Sequence, residues 1–374
     1  MQTASQKEND LPSFNYTVAT MEQRVFNRSN LAFIFVNKQA INASDFGDTF
    51  NRFNRSIGVE YRLASANNLW SGKTTFHKLF SPLDKEQKFT HLTQIVYTQR
   101  RFRFEWAHSL IGDGYDAEVG FVPRRDIFLL SPELQVNFYP TDSKINNHTI
   151  GFDSRWIYKL GKDDNTVLED FGLADVGVES FWQISFNNGA RLRFEGNYNS
   201  ILLLDDFDPT RVQEDDIFLP AGNRFRFIDF SANFQSDNRK VISYNITPQI
   251  GQFYNGFRTG FRGNINYRHV PYGLVALSVN YNHIDLGDPF ETVNLWLVGP
   301  RIDLTFTKEL FLTTFLQYNN QLDNLNVNAR FQWRFKPASD LFIVYTDNFI
   351  IDPFDQFSSR NKALVAKLTY WFNL

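Results

Sequence analysis

Residues 325 to 336 read LNVNARFQWRFK, with apolar side chains at Leu325, Val327, Ala329, Phe331, Trp333 and Phe335, and polar ones at Asn326, Asn328, Arg330, Gln332, Arg334 and Lys336. Successive side chains on a strand point to opposite faces, so this period predicts a strand with one apolar and one charged face. The period recurs along the chain. RFRFEWAHSL (101–110) sets Phe102, Phe104, Trp106 and Leu110 against Arg101, Arg103 and Glu105. ARLRFEGNYNSIL (190–202) sets Leu192, Phe194, Tyr198 and Leu202 against Arg191, Arg193, Glu195, Asn197 and Asn199. GFRGNINYRH (260–269) sets Phe261, Ile265 and Tyr267 against Arg262, Asn264, Asn266 and Arg268. About nineteen such segments follow one another at roughly ten to thirteen residues each, the length of a tilted membrane strand, whereas strands of globular sheets average about five or six.

The connections alternate in length. Short polar turns at 336–340, 307–310, 270–273, 236–240 and 187–190 are interleaved with longer pieces at 352–360, 204–223, 160–175 and 111–126. Outer-membrane barrels have short periplasmic turns and longer outer loops, so the alternation assigns sides. The last segment, NKALVAKLTYWFNL, puts Leu364, Ala366, Leu368, Tyr370, Phe372 and Leu374 on one face. It resembles the amphipathic, aromatic-ended final strand of bacterial outer-membrane proteins. The predicted fold is therefore all-β: a transmembrane antiparallel outer-membrane β-barrel of about 18 to 20 strands over residues 15–374, after a lead-in at 1–14. The competing soluble fold, a large β-sandwich or solenoid, is disfavoured by the strand lengths, by the charge density of the polar faces and by the lack of a regular repeat.

Composition sharpens this picture. The chain has 40 Phe, 15 Tyr and 7 Trp in 374 residues, yet its mean hydropathy is -0.36, so ring surface is interleaved with polar residues. No run approaches the roughly 18 to 20 apolar residues of a membrane helix. With no cysteine there is no disulfide framework or thiolate metal site. A net charge of -3 gives no reason to expect nucleic acid as a partner.

If the apolar faces meet the lipid bilayer of the outer membrane, the charged faces meet the lumen, because Arg or Lys at mid-bilayer costs about 2 to 4 kcal/mol. Arg101, Arg103, Glu105, Arg191, Arg193, Glu195, Arg262, Arg268, Arg330 and Arg334 are then the lumen-facing candidates. Two roles are open to them: ion pairs that brace the wall, or a basic strip that guides an anionic or sugar solute. GDGYDAEVGFVPRRD (112–126), long, Gly-rich and of mixed charge, is the candidate to fold inward, with Asp113, Asp116, Glu118, Arg124, Arg125 and Asp126.

Motifs for chemistry are absent: no GxSxG, HExxH, Walker loop or GxGxxG is found. The six histidines are scattered singly, so no catalytic residue, metal set or cofactor is expected. Asp205, Asp206 and Asp208 could offer oxygens to calcium, but without EF-hand spacing. A solvated loop is the favoured reading of them.

Several phrases carry a resemblance: the opening MQT, LPSFNYTVATMEQRVFNRSN (11–30), GFVPRRD (120–126), NARFQWRFKPASDLFIVYTDN (328–348) and RNKALVAKLTYWFNL (360–374). Together they are similar to the C-terminal region of a Bacteroidota outer-membrane family of unassigned function, whose full-length members carry an N-terminal domain similar to family 9 carbohydrate-binding modules. The resemblance implies a barrel associated with glycan or oligosaccharide handling, any glycan being bound through that separate module. It also implies that the MQT-like phrase lies inside a longer protein, which agrees with the lack of a secretory signal at Met1. Some members of the family are labelled membrane-associated hydrolases, a function for which these residues offer no nucleophile and base. The expected function is a pore or transport barrel; the alternatives are a loop-plugged, non-conducting surface anchor or, from the resemblance, a hydrolase. No sequence feature addresses oligomeric state.

Overall fold

The computed structural model describes residues 12–41, 50–141, 143–161, 172–212, 217–351 and 358–372. Nineteen strands and no helix occur among them. In chain order they are β1 (Ser13–Val25), β2 (Ser29–Ile41), β3 (Phe53–Ala64), β4 (Trp70–Phe80), β5 (Phe89–Thr98), β6 (Phe102–Ile111) and β7 (Ile127–Phe138). Next come β8 (Ile145–Lys159), β9 (Leu173–Phe186), β10 (Arg191–Leu202), β11 (Arg224–Gln235), β12 (Ile242–Phe253) and β13 (Gly256–His269). The series ends with β14 (Gly273–Asp285), β15 (Val293–Thr305), β16 (Leu310–Asn319), β17 (Asn324–Lys336), β18 (Ser339–Ile350) and β19 (Ser358–Thr369). All belong to one sheet, and each strand pairs with its neighbour in sequence. The predicted all-β antiparallel fold holds, and its strand number falls inside the predicted range.

Strand lengths run from 10 residues in β5 to 15 in β8. Most connections alternate in length as the turn residues predict. The short ones fall at 26–28, 65–69, 99–101, 139–144, 187–190, 236–241, 270–272, 306–309 and 337–338; the opposite strand ends carry pieces as long as 112–126, 160–172 and 203–223. One departure is the β12–β13 connection, which is only Tyr254 and Asn255, with Tyr254 at φ 51. This tight turn extends β13 back to Gly256, four residues before the alternation in the sequence becomes visible. At Gly256 a side chain has no room, since a Cβ would lie 2.0 Å from the Asp285 carbonyl oxygen.

The chain forms two compact units. One comprises residues 1–138, 150–180 and 199–204; the other comprises 139–149, 181–198 and 205–374. Within the first, aromatic side chains gather at both strand ends on one face. Trp70 packs on Tyr97 at 4.7 Å and Tyr97 on Phe102 at 6.3 Å at the short-turn end. At the long-loop end Phe76 stacks on Phe89, and His91, His108, Phe128 and Tyr158 form a chain of ring contacts. Within the second unit, His148–Trp182–Phe194, Phe234–Tyr244, Tyr267–His269–Tyr272 and Trp333–Phe335–Tyr370–Phe372 mark the short-turn end. Tyr281 against Trp296, at 4.3 Å, marks the other end. This face is only partly covered: Trp70, Trp106, Trp182, Trp296 and Trp333 are each exposed by 40 to 45%. On β5 the two belts are six to eight residues apart, from Tyr97 to His91 and Phe89, or about 20 to 27 Å along a strand.

Candidate functional site on the polar face of the sheet

The opposite face is polar, and its cations fall into two kinds. In the first unit several are paired. Arg103 of β6 donates to Glu133 of β7 at 2.6 Å and also bonds Glu105, with Gln94 of β5 bonding Glu105 as well. The register sets Glu105 directly opposite Glu133, so Arg103 lies between two carboxylates that would otherwise repel. Arg62 of β3 is held by Glu60 and by Glu22 of β1. Lys38 of β2 pairs with Glu118, both largely buried at 16% and 18% exposure.

That last pair places the 112–126 loop. Glu118 also bonds Asn51, its backbone N–H donates to Asn54 Oδ1 at 3.3 Å, and Asn54 donates to the Asp116 carbonyl at 2.7 Å. Lys38 and Asn54 are register partners on the polar face of β2 and β3, so the loop lies against that face. Its flanks are tied as well: Asp113 to Lys85, Asp116 to Arg125 and Arg124 to Asp175 of β9. Asp126 accepts the Gly161 N–H at 3.0 Å. Tyr115 is 7% exposed, and this burial pushes its phenol above its ordinary pKa. A cleft of about 880 Å³ beside the loop is lined by Lys85, Asp113, Arg124, Arg125, Asp126 and Lys159, among others.

In the second unit Arg193 pairs with Glu195 and sits 3.6 Å from the Phe181 ring, while Ser231 donates to Glu195 at 2.8 Å. Arg334 pairs with Asp340 at 3.2 Å. Lys336 donates to the Tyr370 hydroxyl at 2.9 Å. β13 is different. Arg258, Arg262 and Arg268 share its polar face, and none forms an ion pair among the described residues. Arg262 stands opposite Thr247 on β12 and Asn280 on β14. Arg330 of β17, opposite Thr313 and Val344, likewise has no ion pair among them.

Of the other candidates, Arg101 lies in the 99–101 turn outside β6, and Arg191 opens β10 as an exposed residue. Asp208 accepts from Thr210 N at 2.7 Å and Val212 N at 2.9 Å, and Asp206 from Ala221 N at 2.8 Å, so both shape their loop. Residues 213–216 of that loop lie outside the described residues. No metal-binding group of His, Asp or Glu occurs among the described residues.

Three features escape a reading of the sequence alone. Arg258 is hidden by the tight β12–β13 turn. Glu133 has no charged neighbour along β7 and gains its role only across the sheet. The histidines are not all single: the ring centroids of His91 and His108 are 5.2 Å apart on the aromatic face, with Thr93 3.1 Å from His91 and Trp106 donating to His108 at 3.1 Å. The hairpin register, which sets Thr93 opposite His108, is the signal that would have found that cluster.

Compared with known proteins, the chain matches no protein-family model and no curated protein.

Proposed function

We propose that this chain is an outer-membrane β-barrel whose polar face lines an aqueous path, and that it acts as a pore or transport protein. The observation that carries the reading is the pair of aromatic belts on one face, set about 20 to 27 Å apart along β5, with the charges of β6, β10, β13 and β17 on the opposite face. Outer-membrane barrels have an apolar band about 25 Å tall between aromatic girdles and a polar interior. In lipid an unpaired sheet edge is too costly, so the reading requires the free edges of β1 and β19 to be covered, by each other or by further strands. The association with glycan handling rests on the family resemblance alone, and a glycan would be held by a module outside these residues.

Extraction and conductance test the reading. The protein should require detergent, migrate differently in gels when heated, and conduct in planar bilayers. Recovery from the soluble fraction without detergent would overturn it.

The 112–126 loop favours a second reading, a barrel narrowed or sealed from within that displays its outer loops. Deleting 112–125 should then raise conductance, and unchanged current would remove the loop from the path.

A further inference from the structure

We infer that the polar face of β12–β14 is an anion-binding strip, a path for solutes bearing carboxylate, phosphate or sulfate groups. The inference rests on the reading of that face as water-lined and names the class of solute it would take.

The argument begins with spacing. Arg258, Arg262 and Arg268 all occupy even positions on β13, so their side chains leave the same face. Four residues separate the first pair and six the second, which at 3.4 Å per residue are intervals of about 14 and 20 Å along the strand. No single small anion could touch all three. The arrangement is a series of steps over nearly the whole strand, each able to hold an oxyanion and release it to the next, as conduction requires.

The surroundings favour the same chemistry. Between the arginines lie Gly260, Asn264 and Asn266; on the same face stand Asn245, Thr247 and Gln249 of β12 and Ser278, Asn280 and Asn282 of β14. Every side chain of this set is neutral, and all but those of Gly260 offer a hydroxyl or amide donor. The carboxylates nearby have hydrogen-bond or ion-pair partners of their own, although Asp229 also attracts Arg258 through space. Asp229 of β11 accepts from Asn197 at 3.1 Å and from Gln249 at 2.9 Å. Asp303 of β15 pairs with Arg301 at 2.9 Å. Two buried polar atoms on β13, Arg258 Nε and Asn264 Oδ1, have no hydrogen-bond partner among the described residues. Buried polar groups are ordinarily satisfied, so the Arg258 Nε–H is a donor open to an oxyanion, whereas Asn264 Oδ1, an acceptor, calls for a donor such as water. Arg262 and Arg268 are exposed, and their planar donor forks make no side-chain hydrogen bond among the described residues. A bracing role needs a partner: Arg258 rests on the Phe253 ring at 4.4 Å, and none of the three guanidinium groups has an ion pair among the described residues.

The test uses the full chain refolded in detergent and in planar bilayers at about 0.1 M salt, where screening leaves such charges effective. Wild-type protein under a KCl gradient should give a reversal potential that favours chloride over potassium. R258Q/R262Q/R268Q should move the permeability ratio to unity or below, whereas R258K/R262K/R268K should keep the anion preference. Inorganic phosphate, measured by equilibrium dialysis in detergent, should bind wild type and the lysine variant and not the glutamine variant. Heat-modifiable migration shows which variants are folded. A current whose selectivity is the same in wild type and the glutamine variant overturns the strip and leaves the pore reading standing. Absence of current overturns the pore reading, and phosphate dialysis then decides the strip by itself: equal binding by wild type and the glutamine variant, or no binding by either, overturns it.

Discussion

Arg103 and Arg262 occupy similar sequence contexts, R-F-R-F-E around one and G-F-R-G-N around the other, yet their surroundings have little in common. Arg103 is held between Glu105 and Glu133, while Arg262 faces Thr247 and Asn280 with no carboxylate bonded to it among the described residues. The difference comes from the strands on either side. β7 delivers Glu133 to a position opposite Glu105, and β14 delivers an amide opposite Arg262. On a sheet the cross-strand residue decides whether a charge is paired within the sheet or left facing neutral groups. Charge content alone does not separate the two regions, but the register does.

The largest expected effect breaks the clamped side. Replacing Arg103 by Leu leaves Glu105 and Glu133 facing each other across the hairpin, a change expected to cost about 2 to 3 kcal/mol, discounted from the fully buried case because Arg103 keeps 29% of its exposure. Adding E133L should restore more than half of the loss, since the repulsion disappears. Arg262→Gln, which breaks no pair, should shift stability by less than about 0.5 kcal/mol. Urea unfolding of the protein refolded into vesicles measures all three. Equal losses for R103L and R262Q would show that the two arginines are bound alike.

Much of this architecture was legible in the sequence. The period of two fixes which residues share a face, as in 325–334, where β17 keeps regular register with β18 before an irregularity between Arg334 and Lys336, and Trp333 and Phe335 join the belt with Tyr370. Turn residues fix most boundaries, and long polar pieces mark the loops. What escaped depends on partners distant in sequence. Glu133 is 30 residues from Arg103, Glu118 is 80 from Lys38, and neither pairing leaves a local trace. Arg258 escapes for a different reason: Asn255-Gly256 does mark the tight turn, but the alternation of β13 is plain only from Gly260 onward, so the strand's first residues are easily left out.

A smaller effect sharpens the comparison at the 112–126 loop, where the clamp is made between a loop and strands. Glu118→Ala leaves Lys38 without its carboxylate in a largely buried place and should cost about 2 kcal/mol. Tyr115 offers a second handle on the same loop. Its phenol is raised above the ordinary 10.0 by burial, so the folded state holds the proton more tightly than the unfolded chain. Stability from this group is complete below about pH 10 and falls as pH rises through the folded value. Tyr115→Phe should flatten that alkaline loss in the urea midpoint and leave neutral-pH stability nearly unchanged. An alkaline slope that persists in the Phe variant would assign it to another group.

The smallest effect concerns a pairing made within one turn, where register plays no part. In the β11–β12 turn Asp237 accepts from Arg239 N at 3.0 Å, Nε at 2.9 Å and Nη2 at 3.0 Å, and Arg239 Nη2 also donates to the Asn188 carbonyl of the β9–β10 turn at 2.8 Å. The Arg239 side chain, with its backbone N–H, draws the Asp237 carboxyl from 3.8 down to about 2. A depressed carboxyl contributes stability above its unfolded value that is lost as pH falls through its folded one, so the window here lies between about 3.8 and about 2. In R239Q the Asp237 side-chain carboxyl, followed by carbon-detected NMR, should titrate near its ordinary value, and the turn should no longer bond Asn188. Because the pair is solvated, global stability at neutral pH should be almost unmoved. An Asp237 that still titrates near 2 in R239Q would mean that the backbone N–H holds the carboxylate without the guanidinium.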